Sequence, residues 1–274
     1  MNFDLYWLAV AAMLGASIGS FLNVCIYRIP REMSINRPRR SFCPKCMRPI
    51  AWHDNIPVLS WLLLRGRCRR CGAPIAGRYP LVEAITGVLF ALVWWKFAFP
   101  LGDALDPRVP VYWLLVSGLV VGTFIDLDYY ILPDRITVGG IVAGLLISAL
   151  VPSLHGETSM LRGFLAAGTG LCLGFGLLWL VAILGEAVFR KEAMGFGDVK
   201  LLGALGAFLG WPSVLFTLVG ASFLGSVVGL TLILIKGRKW QSKIPFGPYL
   251  AAAALIYLFA GEAIWAWYRT RFWL

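Results

Sequence analysis

Apolar residues come in long runs separated by short polar breaks. The runs cover Leu5–Ile26, Leu81–Phe99, Val111–Ile125, Ile136–Val151, Leu161–Leu184, Val199–Leu209, Val214–Ile235 and Tyr249–Trp267. Most approach the roughly 20 residues a bilayer-spanning helix needs, so the pattern predicts an all-α polytopic membrane protein of about eight transmembrane helices. The first run is too long for the apolar core of a signal peptide, and its basic residues follow it instead of preceding it, so it is expected to stay as the first helix. The break at Gly210-Trp211-Pro212 separates the sixth run from the seventh.

Composition agrees with this reading. The 274 residues are 59% hydrophobic and only 14% charged, with a mean hydropathy of +0.76, outside the range of an ordinary soluble domain. The net charge of +11 has a topological explanation, because cytoplasmic loops accumulate Lys and Arg. Twelve basic residues fall between Arg28 and Arg78, and Arg135, Arg190, Lys191, Lys200, Lys236, Arg238, Lys239 and Lys243 map to the same side of an eight-span arrangement. Lys96, Arg108, Arg162, Arg269 and Arg271 map to the other. The expectation is a multi-pass membrane protein, its first loop cytoplasmic and both termini outside. No nucleic-acid-binding motif accompanies the positive charge, so nucleic acid is not expected as a partner.

The first loop, residues 28–79, is basic and proline-bearing, and carries Cys43-Pro44-Lys45-Cys46 and Cys68-Arg69-Arg70-Cys71. Two CxxC pairs at this separation suit a structural zinc ion held by Cys43, Cys46, Cys68 and Cys71, each pair forming one knuckle. So short a loop has little apolar area for a core of its own, and the metal would supply folding energy. Two disulfides or unligated thiols are the competing readings; disulfides are rare on the cytoplasmic side. Cys25 and Cys172 lie within apolar runs and read as packing residues. His53 reads as a surface or packing residue.

Carboxylates beside hydrocarbon are costly and are functional candidates for that reason. Asp126 follows the apolar stretch Val116–Ile125, whereas Asp128 and Asp134 fall progressively nearer the headgroups, and Asp134 is placed to cap the helix that begins near Ile136. Asp198 closes Gly195-Phe196-Gly197-Asp198 and opens another apolar run, at a helix N-terminus that favours negative charge. Both Asp126 and Asp198 map to the cytoplasmic side. Two carboxylates that meet share one proton, and the ionised and protonated partners can then act as general base and general acid on a peptide bond. A structural pair is the alternative. A serine hydrolase is disfavoured: there is no GxSxG motif, and His155 maps to the far side.

At this point the chain resembles the bacterial type IV prepilin leader peptidases, members of the GxGD class of membrane aspartyl proteases. The resemblance rests on Gly19-Ser20-Phe21-Leu22-Asn23-Val24 with Tyr27-Arg28-Ile29-Pro30, the paired CxxC loop, Asp54-Asn55-Ile56-Pro57-Val58-Leu59-Ser60-Trp61, and Arg78-Tyr79-Pro80-Leu81-Val82-Glu83. It continues through the Asp126 motif ending in Pro133-Asp134, Gly195–Lys200, and Pro245-Phe246-Gly247-Pro248. It implies cleavage of the leader of prepilins or type II secretion pseudopilins at the cytoplasmic face, followed by N-methylation of the new N-terminus from S-adenosylmethionine. By the family pattern the catalytic acids are Asp126, seven residues before the motif proline, and Asp198. Methylation is associated in the family with the first loop. No glycine-rich nucleotide fingerprint locates the cofactor, and Glu83, beside Arg78-Tyr79-Pro80, is the one residue offered for binding the substrate amine or orienting the cofactor; a structural partner for a loop arginine is its alternative role.

The expected organisation is a first transmembrane helix (1–27), a zinc loop associated with methyl transfer (28–79) and a transmembrane protease bundle (80–274). A proton-coupled transporter would also carry intramembrane carboxylates, and a noncatalytic zinc scaffold would also carry the cysteines. Small-residue spacings at Gly15/Gly19, Gly170/Gly174, Gly206/Gly210 and Gly225/Gly229 predict close helix packing.

Overall fold

A computed structural model describes residues 2–38, 40–98, 106–190, 194–236 and 245–272. Phe99, at the end of the second apolar run, and the basic residues Arg39, Lys191, Arg238, Lys239 and Lys243 lie outside the described residues. Among the described residues the helices are α1 (Asn2–Arg28), α2 (Leu59–Leu63), α3 (Arg78–Phe97), α4 (Arg108–Tyr129), α5 (Asp134–Leu150), α6 (Met160–Phe189), α7 (Phe196–Leu209), α8 (Trp211–Lys236) and α9 (Gly247–Phe272). Strand pairing among them is confined to two isolated bridges, Phe42 with Pro49 and Arg67 with Pro74.

A helix therefore stands at each of the eight predicted runs, and the protein is an all-α integral membrane protein. Six of these helices, α1, α3, α4, α6, α8 and α9, are long and apolar enough to cross a membrane. The other two, α5 and α7, have 17 and 14 residues; at 1.5 Å per residue α7 reaches about 21 Å, short of a hydrocarbon core of about 30 Å. The break between α7 and α8 is made by Gly210, whose φ of +78° suits a residue without a Cβ.

The chain divides into two compact units, residues 1–121 and 122–274, with the boundary inside α4. In the first, α1 packs along α3. A Cβ on Gly15 would stand 2.6 Å from the Phe90 Cβ, and one on Gly19 would stand 2.8 Å from the Glu83 Cα, so the two helices approach only because these positions are glycine. Phe90 also stacks on Trp113 at 5.0 Å between centroids, and the Trp113 indole N–H donates to the Phe90 carbonyl at 3.0 Å.

In the second unit α7 packs against α5, α6, α8 and α9. Ten of its residues, from Asp198 through Phe208, are buried, as expected for a helix apolar on all sides. Gly170 of α6 and Gly206 of α7 meet backbone to backbone: a Cβ on either would collide with the carbonyl of the other. At the far end of α7, Ser148 donates to the Ala207 carbonyl at 3.1 Å and sits 3.0 Å from the His155 Nε2, which gives His155 a structural role there.

Replacing Gly170 or Gly206 with Ala should destabilise the protein by up to about 3 kcal/mol, because overpacking against backbone cannot be relieved by a rotamer change. Gly168→Ala, on the same helix with nothing within 4 Å of an added Cβ, should be neutral or stabilising by up to about 1 kcal/mol. Thermal unfolding in detergent distinguishes the two classes.

Candidate functional site

The acidic site lies in the second unit, where four helix ends converge. Asp126 occupies the last turn of α4, which stops when Tyr130 adopts a left-handed φ of +57°. Ile131 to Pro133 then lead into α5, and Pro133 is its N-cap. Asp198 lies in the first turn of α7 after the N-cap Gly195. Pro245 and Phe246 lead into α9, whose first residue is Gly247.

These ends are interlocked. Asp126 is 5% exposed, and its Oδ2 accepts the Gly247 N–H at 3.0 Å. A Cβ on Gly247 would stand 2.7 Å from that oxygen, so only glycine lets the start of α9 come this close to the carboxylate. Leu132 is the wedge. An added Cβ would stand 2.8 Å from Leu132 on Gly197, 3.2 Å on Gly247 and 3.4 Å on Gly122, which places this one side chain against α4, α7 and α9.

Asp198 is 8% exposed and within electrostatic range of Asp126, with the Gly195 backbone N–H directed at its carboxylate. Its Oδ1 is buried and, among the described residues, has no hydrogen-bond partner. A buried acid oxygen left unpaired is costly and is a mark of function more than of structure. The other acids differ. Asp128 is exposed. Asp134 is the first residue of α5 and not its N-cap, and its Oδ1 accepts from Lys200 at 2.6 Å, tying the start of α5 to the first turns of α7.

The second site lies in the first unit. Cys43, Cys46, Cys68 and Cys71 form one cluster whose sulfurs all lie within 4.8 Å of one another. They sit on two turns of the same construction. In one, the Cys43 N–H donates to the Arg48 carbonyl and the Met47 N–H to the Cys43 carbonyl; in the other, the Cys68 N–H donates to Ala73 and the Gly72 N–H to Cys68. Met47 and Gly72 take the same left-handed position in their turns, at φ +54° and +67°. Tetrahedral zinc with Zn–S bonds of about 2.3 Å sets its sulfurs about 3.8 Å apart, and Cys43 and Cys71 are separated by 3.8 Å. All four are free thiols. The cluster fits a closed metal site.

Beside it is a cleft of about 600 Å³ lined by residues of α1, the loop and the start of α3, among them Asn23, Asp54, Trp61, Tyr79 and Glu83. The Asn23 amide donates to the Tyr79 carbonyl at 3.0 Å, while its Oδ1 is buried with no partner among the described residues. Arg69 grips Asp54 with Nε and Nη2 at 2.7–2.9 Å, which holds the Asp54 carboxyl below its usual range. Glu83 accepts the Val58 N–H at 2.7 Å and faces the Ser20 hydroxyl. Its observed partners are thus a loop backbone N–H and a hydroxyl of α1, where sequence reasoning had offered a loop arginine.

Residues 13–97 match the bacterial peptidase A24 N-terminal domain, and residues 113–230 match the type IV leader peptidase family. A prepilin leader peptidase/N-methyltransferase of Aeromonas hydrophila is 39% identical over 294 residues, 97% of this chain and 96% of the relative. The chain belongs to the type IV leader peptidase family. Relatives of the same name from Legionella pneumophila and Myxococcus xanthus are 34% and 46% identical. The first alignment covers 98% of this chain and 96% of the relative, the second 82% and 63%. No solved structure matches the chain significantly.

Sequence reasoning on this leader peptidase chain missed Leu132, Gly247 and Val58 as individuals. The motifs containing them were visible, but that Leu132 wedges three helices, or that Gly247 caps a carboxylate 121 positions away, is a tertiary fact without a local signal. Val58 is different. It holds φ +61° and ψ −51° in a tight turn closed by the Leu59 N–H on the Pro57 carbonyl at 2.6 Å, a strained conformation for a β-branched residue.

Elemental analysis of the purified protein should find about one zinc per chain. Replacing Cys43 and Cys68 together with Ser should release it and expose the loop to limited proteolysis; retention of full zinc content would place the metal elsewhere.

Proposed function

We propose that the protein cleaves the leader peptide of type IV prepilins or type II secretion pseudopilins with Asp126 and Asp198, at the cytoplasmic face of the bacterial inner membrane, and then N-methylates the new N-terminal residue. The observation that carries the proteolytic part is the buried Asp126–Asp198 pair, one member anchored by the Gly247 N–H and the other with a free acid oxygen. Two facing carboxylates favour one shared proton. The ionised partner takes a proton from attacking water; the protonated one polarises the scissile carbonyl and then protonates the leaving amine. With its Oδ2 held by Gly247, Asp126 keeps a fixed orientation through this cycle, and the unpaired Oδ1 of Asp198 is the atom available to water or to the carbonyl.

For the methyl transfer, residues 28–79 form the associated region, and the cleft beneath the cysteine knuckles is the site. Its volume falls in the usual range for a small-molecule pocket, and Asp54 offers an acceptor for the amine and hydroxyls of S-adenosylmethionine, which leaves the orphaned Asn23 Oδ1 and Glu83 for the substrate. Bound there, S-adenosylmethionine supplies a sulfonium methyl for an in-line transfer. Asn23 and Glu83 would hold the substrate amine and restrict its approach, a positioning task that Asp126 and Asp198 are not required to share. Zinc at Cys43, Cys46, Cys68 and Cys71 serves folding, since four thiolates leave no open coordination position. The abundance of basic residues between Arg28 and Arg78 supports a cytoplasmic first loop, with both termini periplasmic.

Asp126→Asn and Asp198→Asn should each abolish cleavage of a prepilin, followed by mass spectrometry, while the protein stays folded and membrane-inserted; Asp128→Asn should retain most of the rate. Strong cleavage by Asp126→Asn would remove the assignment of the first acid. The Asp198→Asn protein should still transfer label from S-adenosylmethionine to an already cleaved pilin, and loss of that transfer in a folded variant would mean that the activities share a site.

A further inference from the structure

The loop that carries the cysteines also carries an apolar surface unexplained by the cleft. Helix α2 turns Ser60 and Trp61 inward: the Ser60 hydroxyl donates to the His53 carbonyl and the Trp61 indole to the Ile75 carbonyl, both at 3.0 Å. Its other face presents Leu59, Leu62 and Leu63 to the outside, and the short 3-10 helix Trp52–Asn55 packed against it adds Trp52. Leu63 is 81% exposed and Trp52 82%. A cluster of this kind is a docking surface more often than a solvated one.

Its depth identifies what covers it. The Val58 N–H, one residue before α2 begins, is bonded to Glu83, and Glu83 lies five residues inside the membrane-competent helix α3. That is about 7.5 Å along the helix axis. So α2 starts level with the first turns of a spanning segment. On that segment Leu81 is exposed, as is Phe21 of α1, the outward apolar positions expected of helices that meet lipid. Just beyond the leucines stand the exposed Arg65 and Arg67. Leucine and tryptophan flanked by arginine is the composition of a segment lying in the headgroup boundary of an anionic leaflet.

We propose that α2 and Trp52 are an interfacial anchor, with Leu59, Leu62, Leu63 and Trp52 buried in the lipid boundary and Arg65 and Arg67 on anionic headgroups. The strained turn at Val58, fastened by Glu83, is the device that holds the anchor at that depth. Because Trp61 on the opposite face lines the cleft, the anchor fixes the cleft mouth at the membrane surface. Resting on the methyl transfer proposed above, this is where the N-terminus of a substrate still embedded in the bilayer can enter without leaving the lipid.

Two measurements on the full-length protein in vesicles of phosphatidylethanolamine and phosphatidylglycerol test it. Photoactivated p-benzoylphenylalanine in place of Leu63 should give lipid adducts at least five-fold more abundant than the same group in place of Lys45. Equal yields, or adducts that pass from lipid to a prepilin when one is added, would overturn the lipid assignment, the latter making the face a substrate-docking surface. Second, Leu62→Asp with Leu63→Asp, neither of which lines the cleft, should slow methylation of a membrane-inserted cleaved pilin at least ten-fold, with methylation of a soluble peptide of the same N-terminal sequence unchanged. Equal loss on both substrates would overturn the anchoring role. If the unsubstituted protein methylates neither, the methyltransferase reading fails, and the lipid adducts still decide the anchor.

Discussion

The acidic site depends on one hydrogen bond, from the Gly247 N–H to the Asp126 carboxylate. A carboxylate at the end of an apolar helix must find a polar partner within the protein or drag water to it, and the first N–H groups of a helix are unpaired donors at the positive end of its dipole. Joining the two resolves both deficits. It also dictates much of the local sequence: residue 247 has no side chain, so that α9 can reach the carboxylate, and residue 197 has none, so that α7 can reach Leu132, the side chain that seals the junction.

A different solution holds the first loop. Too few apolar residues face inward there to make a core, and its shape is set by polar and sulfur contacts: two matching turns that bring four thiols together, the Arg69 fork on Asp54, and the tie from Val58 to Glu83. Each tie fixes one point of the loop. The four-thiol cluster closes the cysteine end, and Glu83 fastens the other end to a spanning helix.

Much of this was legible in the sequence. The eight runs, the break at Gly210, the cysteine cluster and the exposure of Asp128 follow from rules acting over a few residues: hydrocarbon thickness, backbone freedom, thiolate spacing and depth. What escaped depends on contacts distant in sequence. That α7 is buried by protein and α6 faces lipid could not be read from their similar apolarity, because burial by protein and burial by lipid select the same residues; only the shortness of the run Val199–Leu209 was visible. Asp134 shows the limit from the polar side: its place before an apolar run suggested a cap, whereas it stands one residue inside the helix and pairs with Lys200.

Under the functions proposed, the two units face opposite chemical demands, and their polar groups differ accordingly. Peptide hydrolysis by paired carboxylates needs water and a proton held between the acids, and the second unit sets an acid with an unpaired oxygen within electrostatic range of an anchored one, in a junction packed around Leu132. Methyl transfer needs a neutral amine and benefits from the exclusion of water, which would compete for hydrogen bonds to that amine. In the first unit the corresponding groups are an amide and a carboxylate already engaged by Tyr79 and Val58, suited to orienting an amine and poorly placed to activate water. Electrostatics gives a further reason for separate sites. A shared proton is sensitive to any charge nearby, and a site that must admit a sulfonium cation would disturb the acid pair if the two were one.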